Sequence, residues 1–474
     1  MVFSGFVSGM HHARSRLVDM QECINWYPEY ANKDSKNAIS LVPTPGCLLA
    51  WEIEDNPYIR CLFGTSIGRA FTVSGDCLYE LYKDGSYDLR GRIKTYDGVI
   101  NMADNGVELI IVDGIYGYIY SFESNTLEMI TSEGFPGNCS HVQFINGRFI
   151  VNKNDSNQFN LYWSDLFDGK TWSGAVASAE GYADKLLSIE KANNQLWLFG
   201  ELSTEVFYDT GDSDRPYQRI QGAFFDNGTS APYSTASNGN TVFWIGSNAQ
   251  GSGIVWASTG YIPQRISTHA IEYIIGSMKR IDDAIGYCYQ QEGHVFYVLT
   301  FPTGNRTLVY DVATEMWHER SLYNNKSFSN ERHIGNCCGF AFGKVYVGSR
   351  KSGGKIYELS RTTYTDDGTL IRRVRTSPHV HGENKQYNYL SFELDIEKGV
   401  GLNDGQGSTP DIMMQYSNDG GYTWSNEIWK TAGQIGKYSC RVKWLRLGMA
   451  RDRVFRVVYS DPVPCTIVNA FLGI

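Results

Sequence analysis

The chain has 474 residues and a formal net charge of -9, with 42 Lys and Arg against 51 Asp and Glu. That length exceeds one small core and calls for two or three domains or one large repetitive one, and the acidic balance argues against a surface that grips nucleic acid by neutralising many phosphates. The 31 Tyr, 23 Phe, 11 Trp and 49 Gly beside only 13 Pro favour many short strands joined by glycine turns, an all-β balance.

Charge is uneven along the chain. Residues 1–371 hold 29 basic and 41 acidic side chains, a balance of -12, whereas residues 372–474 hold 13 and 10, a balance of +3. The two parts are expected to face different partners. Met1 to Met10 has neither a basic start nor a long apolar run, and no window reaches membrane-spanning length, so synthesis and retention in a cytoplasm are expected. Of the ten cysteines, Cys23, Cys47, Cys61, Cys77, Cys139, Cys288 and Cys440 sit singly among apolar residues and read as buried thiols. The pair Cys337-Cys338 would point to opposite faces of a strand, and with no CxxC spacing neither a metal nor a cofactor is expected.

Taken in chain order, residues 1–45 read as an N-terminal arm, with His11-His12 in a flexible start, and Cys47 to Ile53 as an orphan strand. A repeat follows. Its first copy runs from Ile59 through Arg69 to Val73, Cys77 to Tyr82 and Tyr87 to Ile93, four β-rich runs separated by Gly64, Gly75 and Asp84-Gly85. Further copies start near Val99, His141, Leu186, Tyr233, Ala284 and Cys337, at spacings of 40, 42, 45, 47, 51 and 53 residues. In the third, Asn146-Gly147 between Phe144-Ile145 and Arg148-Phe149 predicts a type I′ hairpin, because both turn residues must take positive φ. This drift fits four-stranded propeller blades with insertions in their loops.

The expected fold is a seven-bladed β-propeller, six being the alternative count, over residues 46–363. The seventh copy lacks a convincing fourth strand, so strand 47–53 is expected to close the ring and protect two exposed edges. The basic run Arg372-Arg373-Val374-Arg375 marks a boundary. Beyond it, over residues 364–474, the runs Tyr389 to Ile396, Ile412 to Tyr416, Val442 to Leu447, Val454 to Tyr459 and Cys465 to Ala470 predict a small antiparallel β-sandwich.

The sharpest local motif is Ser417-Asn418-Asp419-Gly420-Gly421-Tyr422-Thr423-Trp424, which resembles the Asp-box of sialidases. There Ser417, Asp419, Gly421 and Trp424 would cap a hairpin, a structural part and not a catalytic one. A sialidase would carry several boxes within its blades, and would need arginines clustered around a carboxylate. Arg60, Arg69, Arg148 and Arg265 read instead as solvated loop charges. His379-Val380-His381 offers half a metal site without a complement, and reads as an exposed interdomain loop. Nucleophile elbows, phosphate-cradling loops ending in Lys-Ser/Thr and HExxH helices are absent from the sequence, so no catalytic residue is assigned and the chain is not expected to be an enzyme. The basic series Arg441, Lys443, Arg446, Arg451 and Arg453 is the candidate partner interface, with a solvated strand face as the bland alternative.

Two terminal segments carry a family resemblance. Gln21-Glu22-Cys23-Ile24-Asn25-Trp26-Tyr27-Pro28-Glu29, then Leu41-Val42-Pro43-Thr44-Pro45-Gly46, resembles the opening of packaged-DNA stabilisation proteins, the tail accessory or tail nozzle proteins of short-tailed phages. The stretch from Tyr416 through Arg441 to Gly448, Phe455-Arg456-Val457 and Ser460-Asp461-Pro462-Val463 resembles the same family's ending. Within these segments Asn25, Trp26, Tyr27, Pro28, Glu29, Pro45 and Gly46 are taken as a structural family motif. The resemblance implies a homohexameric ring in the virion tail, assembled in the host cytoplasm. It would lie below the portal and its adaptor protein, retain packaged DNA, extend the exit channel and dock tail fibres, spikes or a needle. Double-stranded DNA would pass through transiently, and an acidic channel wall would hinder its sticking. The competing reading is a phage glycan-binding or sialidase-like glycan-processing propeller, motivated by the Asp-box-like turn and the abundant Trp and Tyr.

Overall fold

Tight turns set the sheets. At Asn146-Gly147 both residues take positive φ, 48° and 86°, and the flanking strands pair Ile145 with Arg148, the geometry in which turn twist matches strand twist. In a computed structural model, which describes all residues except 1, 33, 55–57, 155–158, 179–183, 214, 249–250, 350–352 and 384, such hairpins build successive antiparallel sheets. The first sheet orders Ile59–Gly64, Ala70–Ser74, Cys77–Leu81 and Tyr87–Arg92 from inside outward.

The innermost strands of the sheets are Ile59–Gly64, Asn101–Asp104, Val142–Ile145, Leu186–Ala192, Ala236–Asn238, Ile285–Gln291 and Gly335–Ala341. Each touches the next, and Gly335–Ala341 returns against Ile59–Gly64, so the circuit is closed and the architecture is a β-propeller. Apolar clusters fill the wedges between neighbouring sheets. Phe71, Val73, Leu109, Ile111 and Tyr120, for example, are buried between the first and second. An axial cavity of about 340 Å³ is lined by residues of the inner strands, among them Gln143, Glu190 and Ser237.

The strand Gly46–Glu52 lies antiparallel to Lys355–Ser360, with Cys47 opposite Leu359 and Trp51 opposite Ile356. It supplies the fourth strand of the sheet that begins at Gly335–Ala341. Gly46 enters this pairing where no side chain fits, since an added Cβ would stand 2.4 Å from the Thr363 carbonyl oxygen and 2.5 Å from that of Thr365.

After the propeller the chain forms a sandwich of two sheets. One orders Trp26–Tyr30, Ile39–Pro43, Ile467–Gly473, Ser391–Ile396 and Val442–Leu445. The other orders Arg373–Thr376, Asp452–Tyr459, Asp411–Ser417 and Ile428–Thr431. Between them Phe392 stacks on Phe455 at 4.8 Å and on Trp444 at 5.6 Å. Phe3 and Phe6 are buried in the same core. Within residues 1–45, read as an N-terminal arm, Trp26–Tyr30 and Ile39–Pro43 are sandwich strands, and His11–His12 pairs with Met20–Gln21. Pro28 inside the first of these sandwich strands and Pro43 at the end of the second break the usual strand pattern, which explains why both escaped the periodicity.

The propeller and the sandwich share a sheet. Ile24 pairs in parallel with Glu319 of the strand Met316–Asn324 and antiparallel with Val374. A two-residue strand, Cys23–Ile24, thus splices a blade to the sandwich in one eleven-stranded sheet.

Candidate functional site

The N-terminal motif residues converge on that splice. Asn25 is 2% exposed and holds φ at 57°, a left-handed conformation that Asn tolerates better than other non-glycine residues. Its Nδ2 donates to the carbonyls of Ser321, at 2.9 Å, and Arg372, at 2.8 Å, while its Oδ1 accepts from the Ser321 amide at 2.9 Å. One side chain so bridges a blade, the N-terminal segment and the first residue of the sandwich linker. Its own carbonyl accepts from both the amide and the hydroxyl of Thr44.

The neighbours extend the joint. Trp26 is fully buried and its indole Nε1 donates to the Cys465 carbonyl at 2.8 Å. Tyr27 packs edge-on to Phe296, at 5.1 Å, and to His294, at 5.2 Å, and its hydroxyl accepts from Arg361; burial pushes that phenol up. Pro28 is buried, and Glu29 lies 3.7 Å from His294, whose other ring nitrogen meets Asp311 at 2.8 Å. The Pro45 carbonyl accepts from buried Arg320 at 2.9 Å, and Gly46 makes the close approach described above.

Buried arginines do much of the joining, a feature the sequence reading missed. Arg375 is fully buried and donates to the carbonyls of Gly5, Phe6, Gly9 and Glu22 and to Gln21. The run Arg372 to Arg375 was legible as a boundary. That Arg375 collects the N-terminal carbonyls is tertiary and has no local signal.

The Asp-box-like turn closes on itself. Ser417 Oγ donates to Asp419 at 2.7 Å and accepts from the Gly421 amide at 2.7 Å, while the Asp419 carboxylate accepts from the Thr423 amide and hydroxyl. These bonds, the Thr423 hydroxyl first, hold the Asp419 carboxyl down at about 2. The Arg456 guanidinium lies 3.8 Å above the Trp424 ring. The Ser417 hydroxyl and the Asp419 carboxylate are thus spent on the hairpin itself.

The proposed basic interface is divided by the structure. Arg441 forks onto Glu393 at 2.8 and 2.7 Å, with Lys443 3.4 Å from the same carboxylate. Arg446 and Arg451 are exposed. Arg453 is a correction: it is 1% exposed, sandwiched between Tyr389, at 4.3 Å, and Tyr416, at 4.2 Å, and bonded to Asn418 and the Leu447 carbonyl. Aromatic faces and carbonyls replace water around its delocalised charge. His379 is likewise no exposed loop residue. Its side chain is buried, its Nδ1 meets Asp452 at 2.8 Å and its Nε2 meets the Arg16 carbonyl at 2.8 Å.

Of the four arginines weighed for a sialidase, Arg265 is exposed as expected, whereas Arg60 is buried and Arg69 and Arg148 are part-buried, each with its own partners. Arg60 is buried against the carbonyls of Gly75, Thr95, Asp97 and Gly98. Arg69 forks onto Glu80 at 2.7 Å, Arg148 donates to the Ser164 carbonyl, and Arg265 forks onto Glu272.

One buried group has a metal-like composition. The ligand atoms of Cys47, His333 and Asp366 lie within 4.8 Å of one another. Arg320 Nη2 stands 3.1 Å from His333 Nε2, however, and its charge acts on Asp366 against the burial that raises that carboxyl. A divalent ion held by a thiolate and this carboxylate would leave the Arg320 charge uncompensated in the interior, a costly state. Burial drives the Cys47 thiol up and the His333 imidazolium down, which favours a neutral thiol and imidazole.

The geometry defines a class: a β-propeller spliced through a shared sheet and a buried polar joint to a β-sandwich, with its distinctive residues committed to holding the two together. Family models match both parts in order, one described as bacteriophage P22 Gp10, beta-propeller, over residues 60–364, the other as bacteriophage P22 Gp10, beta-sandwich, over residues 372–474. The chain belongs to this P22 Gp10 family of packaged-DNA stabilisation proteins, structural accessory proteins of the phage tail.

No curated protein matches the sequence. Among solved structures, similarity extends to a chain of the mitotic checkpoint complex, at TM-score 0.43 and 12% identity over 67% of this chain and 95% of that one. It also extends to the extracellular domain of BT4673 from B. thetaiotaomicron, at TM-score 0.45 and 10% identity over 84% of this chain and 48% of that one. A second structure of the BT4673 domain gives 0.46 and 11% over 81% and 47%. This chain spans about half the length of the BT4673 domain, and neither likeness carries a functional argument.

Proposed function

We propose that the chain is a seven-bladed propeller closed by strand 47–53, and that six copies form a ring below the portal and its adaptor protein. The ring retains packaged DNA, extends the exit channel and docks tail fibres, spikes or a needle, acting by binding and not by turnover. It assembles in the host cytoplasm and ends in the virion tail. Exposed Arg446 and Arg451, with Arg441 and Lys443 beside them, serve as a docking edge on the sandwich.

The observation that carries this reading is the splice of blade and sandwich. A catalytic propeller has no need of a second domain fixed to it through a shared sheet, whereas a ring component that passes load between neighbours gains from rigidity at that joint. Immunogold electron microscopy of purified virions with an antibody to this chain should label the tail base, and native mass spectrometry of the purified protein with its adaptor should give a six-fold species. Absence of label from the tail base would overturn the tail assignment, and a different stoichiometry would overturn the ring.

A further inference from the structure

The splice face carries two arginines whose hydrogen-bonding capacity is not used up. Arg372 lies with its guanidinium 4.6 Å from the Tyr323 ring centroid. Among the described residues no side chain or carbonyl forms a hydrogen bond or ion pair with its N–H groups. Arg456 lies over Trp424 and donates Nη2 to Gln415 Oε1 at 2.8 Å, while its buried Nε has no partner. The register places both on one face: Val374 pairs with Val458, Thr376 with Arg456 and Gln415 with Arg456, so positions 372, 374, 376, 456 and 415 point the same way. Ile24, Val374, Met413 and Val458 form a small apolar floor beside them.

These two guanidiniums repel each other, and burial first, with that repulsion, lowers the pKa of Arg456. Two carboxylates face them without a direct bond, Glu22 and Glu427. Glu22 already accepts from the Thr376 hydroxyl at 2.6 Å. A guanidinium held over an aromatic ring still has N–H groups to donate: among the described residues those of Arg372 and the Nη1 of Arg456 have no hydrogen-bond partner, and one group from each arginine can grip the two oxygens of a carboxylate. The nearby Glu22 and Glu427 penalise a dianion more than a monoanion, and the apolar floor suits a side chain better than a bare ion.

We propose that Arg372 and Arg456, backed by Tyr323 and Trp424, form a binding site for a carboxylate presented by an acidic peptide segment of a partner protein. The choice of a protein partner rests on the tail-assembly reading above; the site's chemistry does not. It sits where blade, N-terminal segment and sandwich meet, so an acidic segment seated there touches all three.

The test is fluorescence anisotropy of a fluorescein-labelled glutamate hexapeptide titrated with the purified full chain at low salt. Wild type should bind, and Arg372→Gln and Arg456→Gln should each weaken binding about tenfold, the scale of losing one charge-assisted contact. Arg456→Lys should recover little, because an ammonium cannot bond Gln415, lie over Trp424 and face the ligand at once as the planar guanidinium does. Arg92→Gln, on the outer strand of the first sheet and exposed, should bind as wild type. Arg372→Gln should melt within about 3 °C of wild type, since it loses the contact with Tyr323 and no hydrogen bond, which separates binding from folding. Equal binding by wild type and the two Gln variants, an equal loss in Arg92→Gln, or stronger displacement by inorganic phosphate or by short duplex DNA than by unlabelled peptide would each overturn the proposal. The measurement uses isolated protein, so its failure leaves the tail assignment standing, and failure of the virion labelling leaves this site measurable.

Discussion

Replacing Asn25 with Ala removes the clasp of the splice. The substitution leaves the buried Ser321 amide and the carbonyls of Ser321 and Arg372 without their side-chain partner. An orphaned buried donor costs about 1–3 kcal/mol, and weaker losses at the two carbonyls add to it. Alanine at φ 57° adds about 1 kcal/mol of backbone strain that Asn tolerates. The total is on the order of 3–5 kcal/mol, large against the stability of a typical domain. Asn25→Gly relieves the strain and should be about 1 kcal/mol less damaging than Ala. Asn25→Asp should be no better than Ala, because a carboxylate oxygen would face two carbonyl oxygens where an amide donated. Urea denaturation followed by tryptophan fluorescence measures the losses, and calorimetry should show the single transition broadening or splitting as the blade and the sandwich uncouple. An Ala variant within about 0.5 kcal/mol of wild type, or an Asp variant as stable as wild type, would refute the clasp.

Three further outcomes are expected. Gly46→Ala drives a Cβ into two backbone carbonyls and should cost about 2–4 kcal/mol, read as faster amide hydrogen exchange across Lys355–Ser360, the partner of Gly46–Glu52. The Asp452 hydrogen bond raises the His379 pKa above 6.5, so its contribution is full below the unfolded value and is lost as pH rises through the folded one. His379→Gln should therefore cost more stability in acid than in base, and an equal cost at both would contradict the double bond to Asp452 and Arg16. Burial lifts Glu190, beside the axial cavity, from 4.5 to about 7. A raised carboxyl stabilises the fold below the unfolded pKa and loses that contribution as pH rises through about 7. Glu190→Gln should remove this loss, and pH–stability curves that run parallel for the two proteins would count against it.

What could be read from the sequence was local. The Asn146-Gly147 hairpin follows from two residues and their conformational tolerance. The sandwich strands Ser391–Ile396 and Asp452–Tyr459 follow from alternation and lie within two residues of the runs read for them. Asp419 was legible as a turn cap because its partners, Ser417 and Thr423, are neighbours in sequence. What escaped was tertiary. Cys23–Ile24 is too short to show a strand period, and its meaning depends on Glu319 and Val374, hundreds of residues away. Arg453 alternates like a surface residue, yet Tyr389 and Tyr416 close over it. Asn25 belonged to the recognised motif, but its job is visible only once Ser321 and Arg372 are beside it.

The strand Gly46–Glu52 finds its partner at Lys355–Ser360, so about 300 residues must leave the ribosome between the two, roughly 15–60 s of bacterial translation. During that time Leu48 and Leu49 travel on an edge with nothing beside it, and an unpaired edge strand readily joins another chain. Closure is then among the last events in the life of the nascent protein, and chains emerging side by side from one message are competitors for it. Expression at lower temperature or lower density, which spaces those chains, should recover more closed protein for reasons that have nothing to do with the stability of the finished ring.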